Sequence, residues 1–100
     1  MIYCFDLDGT LCSNTDGDYV NAIPNIARIN IVNKLYNEGN IIKIDTARGS
    51  TTAIDWREFT MNQLKDWGVL YHEIRVGVKL HADLFIDDKG ISDFTFFNDK

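Results

Sequence analysis

The sequence predicts an α/β fold: a single domain of residues 1–100 with a parallel sheet of about four strands, covered by helices on both faces. Short apolar segments alternate with segments of helical periodicity, which is the pattern that builds such a sheet. The composition, 45% hydrophobic and 25% charged, is that of an ordinary globular domain. No repeat, low-complexity segment or linker divides the 100 residues, and a chain of this length supports one modest core.

The first strand is predicted at residues 2–7, which are apolar and aromatic, and Asp8-Gly9-Thr10 ends it with a tight turn. Residues 11–21 are polar and predict a loop, in which Asp16-Gly17 is suited to closing a small hairpin.

A helix follows, beginning near Pro24 and ending at Gly39, because apolar residues recur at spacings of three and four: Ile26, Ile29, Val32, Leu35 and Tyr36. Residues 41–46 are β-branched and predict the second strand. A second helix is predicted from a cap at Thr51 or Thr52 to Gly68. The third and fourth strands are predicted at residues 71–76 and 84–86.

Polar side chains follow the predicted strands at the edge where parallel sheets collect ligands: Asp6, Asp8, Thr46, Lys79, Asp87 and Asp88. Crowded carboxylates favour a divalent cation, and Mg²⁺ takes one or two carboxylates together with a substrate phosphate. A free carboxylate is then able to attack phosphorus. The Thr46 hydroxyl and the Lys79 ammonium are suited to holding the phosphoryl oxygens.

These residues resemble the motifs of the haloacid dehalogenase superfamily, whose phosphatases form an aspartyl-phosphate intermediate. Asp6-Leu7-Asp8-Gly9-Thr10 is similar to the first motif, and Thr46-Ala47-Arg48-Gly49 to the second. Lys79 resembles the third motif and Ile86-Asp87-Asp88 the acidic fourth, so all four occur in the family's order over residues 1 to about 90.

The resemblance implies a Rossmann-like, three-layer sheet of order 3-2-1-4 and a Mg²⁺-dependent phosphomonoester hydrolase. It implies Asp6 as nucleophile, Asp8 as acid and base, and Thr46 and Lys79 as further catalytic residues. It implies a phosphate site at Gly9, Thr46, Ala47, Arg48 and Lys79, and a metal site at Asp6, Asp8, Asp88 and Asp87. For Arg48 a salt bridge is the equally open alternative. No segment is long enough for a cap domain, so the chain resembles the small capless members of sugar-phosphate pathways.

Two departures from the family pattern keep an alternative open, that of a catalytically weak or inactive module that binds metal or phosphate, or has a regulatory role. Asp45 stands where relatives usually carry an apolar or aromatic residue; it either pairs with Lys43 on the same strand face or weakens phosphate binding. About seven residues join the third strand to the fourth, too few for a helical crossover, so the placement of Lys79 is constrained.

The composition excludes several other classes. The net charge of −5 argues against nucleic-acid binding, and a small phosphorylated substrate is the expected partner. No apolar run reaches the length of a membrane span or resembles a signal peptide, so a cytoplasmic protein is expected. Cys4 and Cys12 match no zinc spacing and predict reduced thiols. The apolar cluster at residues 94–97 suggests a contact between subunits of a homo-oligomer.

Overall fold

The computed structural model describes residues 1–49, 54–77, 84–87 and 91–98. An α/β fold with a parallel sheet is confirmed. None of the described helices has the length and apolarity that a bilayer crossing requires. The elements in chain order are β1 (Ile2–Asp6), a 3-10 turn (Tyr19–Asn21), α1 (Ile26–Asn37), β2 (Ile41–Thr46), α2 (Arg57–Asp66), β3 (Glu73–Val76), β4 (Leu84–Asp87), β5 (Ile91–Ser92) and α3 (Asp93–Phe97).

The strands lie in the order β3-β2-β1-β4-β5, and every neighbouring pair is parallel. The edge strand β5 is a two-residue element that the sequence analysis does not predict. Asp6 at the end of β1 lies opposite Asp45, next to Thr46 at the end of β2. Since β4 is also parallel to β1, Asp87 at its end lies at the same edge of the sheet.

The buried core lies on one face of the sheet. Phe5, Ile44 and Ile74 occupy this face in register, and each is at most 4% exposed. The buried apolar residues of all three helices belong to the same cluster: Ile29 and Val32 of α1, Leu64 of α2 and Phe97 of α3. The described helices therefore cover one face only.

The described helices lie on one side of the sheet, so the expected cover of both faces stays a prediction. The connections β1-α1-β2 and β2-α2-β3 both step in the same direction across the sheet, and right-handed crossovers of this kind place their helices on the same side. The opposite face carries Cys4 and charged residues, with Lys43 Nζ 3.7 Å from a carboxylate oxygen of Glu73.

The ends of α1 follow from its sequence. The side chain of Asn25 accepts a hydrogen bond from the backbone N–H of Arg28, so Asn25 caps the helix from the position immediately before Ile26. Gly39 follows the other end with a φ of +94°, as its predicted role in ending the helix requires. The predicted caps of the second helix, Thr51 and Thr52, lie outside the described residues, and α2 begins at Arg57.

The aromatic cluster near the C-terminus belongs mainly to the core rather than to a free surface. The rings of Phe96 and Phe97 pack on Phe5, with centroids 5.6 and 5.8 Å away. Phe94 is 57% exposed. The position of α3 is fixed by a buried ion pair, in which Nη1 of Arg28 lies 2.7 Å from Oδ2 of Asp93. Of the predicted subunit contact, only Phe94 keeps a large exposed ring.

Candidate active site at the carboxyl edge of the sheet

The loop after β1 is a tight, buried turn that fixes Asp8. The carbonyl of Leu7 accepts hydrogen bonds from the backbone N–H groups of Thr10, Leu11 and Cys12. Gly9 supplies the positive φ of +86° that this turn needs. Leu7 and Leu11 are fully buried, so the loop is anchored in the core. Asp8 therefore leaves a rigid backbone at the edge of the sheet.

The loop continues across residues 13–23 and returns to the first helix. Its two ends are joined where the backbone N–H of Ser13 donates to the carbonyl of Ile23 at 2.9 Å. Asp16 and Gly17 form the turn at its tip, with φ angles of +53° and +100°. The predicted loop and turn are confirmed, although no regular strands flank the turn.

Thr46, at the end of β2, joins this strand to the Asp8 loop. Its hydroxyl donates to Oδ2 of Asp8 at 3.4 Å and accepts from the backbone N–H of Arg48 at 3.2 Å. Thr46 is 2% exposed, so the two predicted site residues meet in a largely buried setting. The convergence comes from the parallel register of β1 and β2, which ends both strands at the same edge.

Arg48 donates hydrogen bonds to both carboxylate oxygens of Asp8. Nε lies 2.9 Å from Oδ2 and Nη2 lies 2.8 Å from Oδ1, which is the paired geometry that a guanidinium makes with a carboxylate. On the opposite side, Nη1 donates to Oε1 of Gln63 at 2.7 Å and to Oγ1 of Thr60 at 3.2 Å. Arg48 is only 1% exposed, so this is a buried cation with protein partners on each nitrogen.

Two further side chains enclose the guanidinium. The ring of Tyr19 lies 4.4 Å from the Arg48 guanidinium carbon, a cation–π contact. The thiol of Cys12 lies 4.0 Å from Nη2 of Arg48 and 3.5 Å from Oδ1 of Asp8. Burial raises the pKa of Cys12 to about 12, with the Asp8 carboxylate adding to the rise and Arg48 opposing it. Cys12 is therefore a thiol, not a thiolate nucleophile.

A cavity of about 490 Å³ opens beside this carboxylate. Asp8, Ala47 and Gly49 form the end nearest the strands. Gly49 is required here, because its φ is +83° and a Cβ would lie 2.6 Å from the carbonyl oxygen of Ile54. The remaining wall is partly aromatic and partly polar: Asn14, Asp16, Gly17, Tyr19, Ile54 and Trp56.

The structure brings together some of the predicted site residues. Asp8, Thr46 and Arg48 are in contact, Ala47 lies in the cavity wall, and Asp6 is the partly buried last residue of β1. Gly9 shapes the turn after Asp8, and Asp87 ends β4 beside β1. Lys79 and Asp88 lie outside the described residues.

The described residues offer a partial oxygen site for a metal ion. No three of their His, Cys, Asp or Glu side chains form a cluster that would hold one. The Asp8 carboxylate is engaged by Arg48, and the other oxygen donors considered at this edge are the carboxylate of Asp6 and the backbone carbonyl of Asp8. Two hard oxygen donors are compatible in kind with Mg²⁺, which keeps several of its waters.

Sequence reasoning missed the residues that hold Arg48. Thr60 and Gln63 lie three positions apart on one face of α2, and Thr60 is fully buried. The sequence offers only their i, i+3 spacing as a signal, because the burial of Thr60 is known from the structure alone. For Arg48 the notable result is a structural ion pair, and its contact with substrate stays a prediction. The predicted pairing of Lys43 with Asp45 also stays a prediction, and Nζ of Lys43 lies 3.7 Å from a carboxylate oxygen of Glu73.

Comparison with known proteins gives structural relatives only. No family model and no curated protein matches the chain. A target protein from Vibrio cholerae is similar in structure, with 28% identity and a TM-score of 0.76 over all of this chain and 90% of that one. A hypothetical protein from Xanthomonas campestris has 26% identity and a TM-score of 0.51, over 78% of this chain and 40% of its own length. The chain thus shares its fold with solved proteins whose names state no activity.

Proposed function

We propose that the chain is a Mg²⁺-dependent phosphomonoester hydrolase that acts through an aspartyl phosphate on Asp6. The observation that carries the proposal is the convergence of Asp8, Thr46 and Arg48 at the edge where β1 ends with Asp6. The fold is proposed to be of the haloacid dehalogenase type without a cap domain. A small phosphorylated substrate in the cytoplasm is proposed on the same resemblance.

In the first step, an oxygen of the Asp6 carboxylate forms a bond to phosphorus, and the bond from phosphorus to the ester oxygen breaks. The ester oxygen departs with the electron pair and takes a proton from Asp8. In the second step, water attacks the phosphorus of phospho-Asp6, gives its proton to Asp8, and releases phosphate and the Asp6 carboxylate. Both steps need the side chain of Asp8 at a fixed place beside the phosphoryl group.

The contacts of Asp8 support this role in positioning. Thr46 and Arg48 hold both of its oxygens, so the carboxylate is oriented before substrate arrives. The Asp6 carboxylate and the Asp8 carbonyl would hold Mg²⁺, with Asp87 and Asp88 proposed as the remaining ligands. A bound Mg²⁺ would neutralise the phosphoryl oxygens and the neighbouring carboxylates. Lys79 is proposed to add a second positive charge there.

Hydrolysis of 4-nitrophenyl phosphate tests the proposal. We expect turnover that requires Mg²⁺, is lost with EDTA, and falls to background in Asp6→Asn. Asp66→Asn, which removes an exposed carboxylate at the end of α2, is the control and is expected to retain full activity. Intact circular dichroism in Asp6→Asn separates loss of chemistry from loss of fold. Turnover that survives both EDTA and Asp6→Asn would exclude the proposed mechanism.

A second candidate function is a module that binds metal or phosphate with little or no turnover. The observation that favours it is the ion pair itself, because Arg48 occupies both oxygens of the carboxylate that would have to reach the leaving group. Calorimetric binding of Mg²⁺ and phosphate, together with background hydrolysis in the wild-type protein, is the result expected for this alternative.

A further inference from the structure

We propose that the cavity beside Asp8 binds the leaving group of the substrate, and that this leaving group is an uncharged alcohol that carries a ring. The inference rests on the proposed phosphatase function and names the class of ester on which it acts. It follows from the place of the cavity, from its aromatic wall and from its charge.

The place of the cavity connects it to the chemistry. Asp8 and Ala47 are part of its wall, and Thr46 next to Ala47 contacts the same carboxylate. A group bonded to phosphorus at the proposed site therefore has this space beside it. The volume of about 490 Å³ lies in the range of small-molecule sites, so it is large enough for more than a short chain.

The aromatic wall is preorganised. The indole ring of Trp56 packs edge to face on Tyr19, with centroids 4.9 Å apart, and on Phe59 at 5.3 Å. Gly49 approaches so closely that a Cβ there would lie 3.2 Å from Cδ1 of Trp56. The indole is thus held in one orientation. A ring that covers it removes apolar surface from water on both sides, whereas an acyclic alcohol leaves most of that surface hydrated.

The charge of the wall selects against a second anionic group. Among the described residues that line the cavity, the charged side chains are the carboxylates of Asp8 and Asp16. Arg48 lies behind them, is 1% exposed, and donates to protein groups from each nitrogen. No lysine or arginine is among the described residues that line this wall, so a second phosphate or a carboxylate placed there would face the carboxylate of Asp16. Asp16 and Asn14 are instead suited to hydrogen bonds with hydroxyl groups.

The test compares esters that differ in ring and charge, in the presence of Mg²⁺. A hexose 1-phosphate, a nucleoside 5′-monophosphate and an aryl phosphate carry an uncharged ring from three different sources. Glycerol 3-phosphate lacks the ring, and a hexose bisphosphate adds an anion. We expect kcat/KM of the best uncharged ring ester to exceed that of either comparison ester by roughly 10-fold. The best of the three identifies the source of the ring.

Substitutions in the cavity wall test whether the wall causes the preference for an uncharged ring ester. Trp56→Leu is expected to lower the ratio of ring ester to glycerol 3-phosphate by roughly 3- to 10-fold, while Trp56→Phe retains most of it. Asp16→Asn, which tolerates the same positive φ, is expected to raise kcat/KM for the bisphosphate by roughly 3-fold. Glu38→Gln, an exposed change at the far end of α1, is expected to alter neither ratio.

The outcomes separate this inference from the proposed function. Hydrolysis with equal rates for ring and acyclic esters, or an equal loss of all substrates in Trp56→Leu, overturns the inference and leaves the phosphatase. If no ester is hydrolysed, the phosphatase proposal fails. The preference of the cavity for a ring is then tested by comparing the calorimetric affinities of benzylphosphonate and methylphosphonate. Tighter binding of benzylphosphonate that is lost in Trp56→Leu supports the inference, and equal binding of both phosphonates rejects it.

Discussion

Replacing Arg48 with methionine is expected to destabilise the protein by an amount typical of a broken buried ion pair. The Arg48 side chain is 0% exposed and that of Asp8 is 19% exposed. Methionine fills a similar volume but leaves the acceptors on Asp8, Thr60 and Gln63 without this donor. Removing one partner of a buried pair costs about 3–5 kcal/mol. The stability of a domain is typically about 5–15 kcal/mol, so a fall in Tm of more than about 10 °C is expected.

Urea unfolding of a double-mutant cycle measures this effect. Asp8→Asn alone removes the carboxylate charge, and in the double variant the methionine no longer leaves that charge uncompensated. We therefore expect the two substitutions to be non-additive by at least about 1 kcal/mol. Arg75→Met is the matched control, because its pair with Glu73 is 50% and 40% exposed and surface pairs contribute about 0–1 kcal/mol.

Two results would refute the reasoning. An Arg48→Met protein within about 1 kcal/mol of the wild type would mean that the buried contacts contribute little net free energy. Strict additivity with Asp8→Asn would mean that the two side chains do not stabilise each other, whatever their separation of 2.8 Å.

Two other substitutions or modifications test the surroundings of the site. Gly49→Ala is expected to cost about 1–3 kcal/mol in urea unfolding, because its Cβ would lie 2.6 Å from a carbonyl oxygen at a φ of +83°; Gly17→Ala has a similar φ with nothing within 4 Å and is expected to cost less. Cys12, with its pKa raised to about 12, is expected to resist a disulfide reagent at pH 8 until urea unfolds the chain. Because the thiol of the unfolded chain ionises from about pH 9, stability is expected to fall above that pH more steeply in the wild type than in Cys12→Ala. Rapid labelling of the native thiol, or identical pH slopes in both proteins, would contradict the expectation for Cys12.

Strands β1 to β4 and helix α1 could be predicted from the sequence because their signals are local. The apolar run at β1, the β-branched run at β2 and the helical spacing of α1 each fix an element without knowledge of its partners. The meeting of Asp8 with Thr46 also followed, since parallel strands end at a common edge.

The role of Arg48 could not be predicted in this way. Its partners lie 40 positions before it and 12 and 15 positions after it, so the choice between substrate and ion pair depends on how α2 docks. The common side of the described helices depends on the strand order as well, because the handedness of a crossover places its helix only once the neighbouring strands are known.

The contacts of the Arg48 guanidinium link the formation of the site to the packing of α2. It joins the turn after β1, the turn after β2 and the middle of α2, which are separate segments of the chain. The proposed catalytic geometry is therefore complete only after α2 has packed on the sheet. Amide hydrogen exchange in α2 is expected to slow when a phosphate analogue binds at the carboxyl edge of the sheet. A ligand that binds only while α2 is packed on the sheet stabilises the packed state.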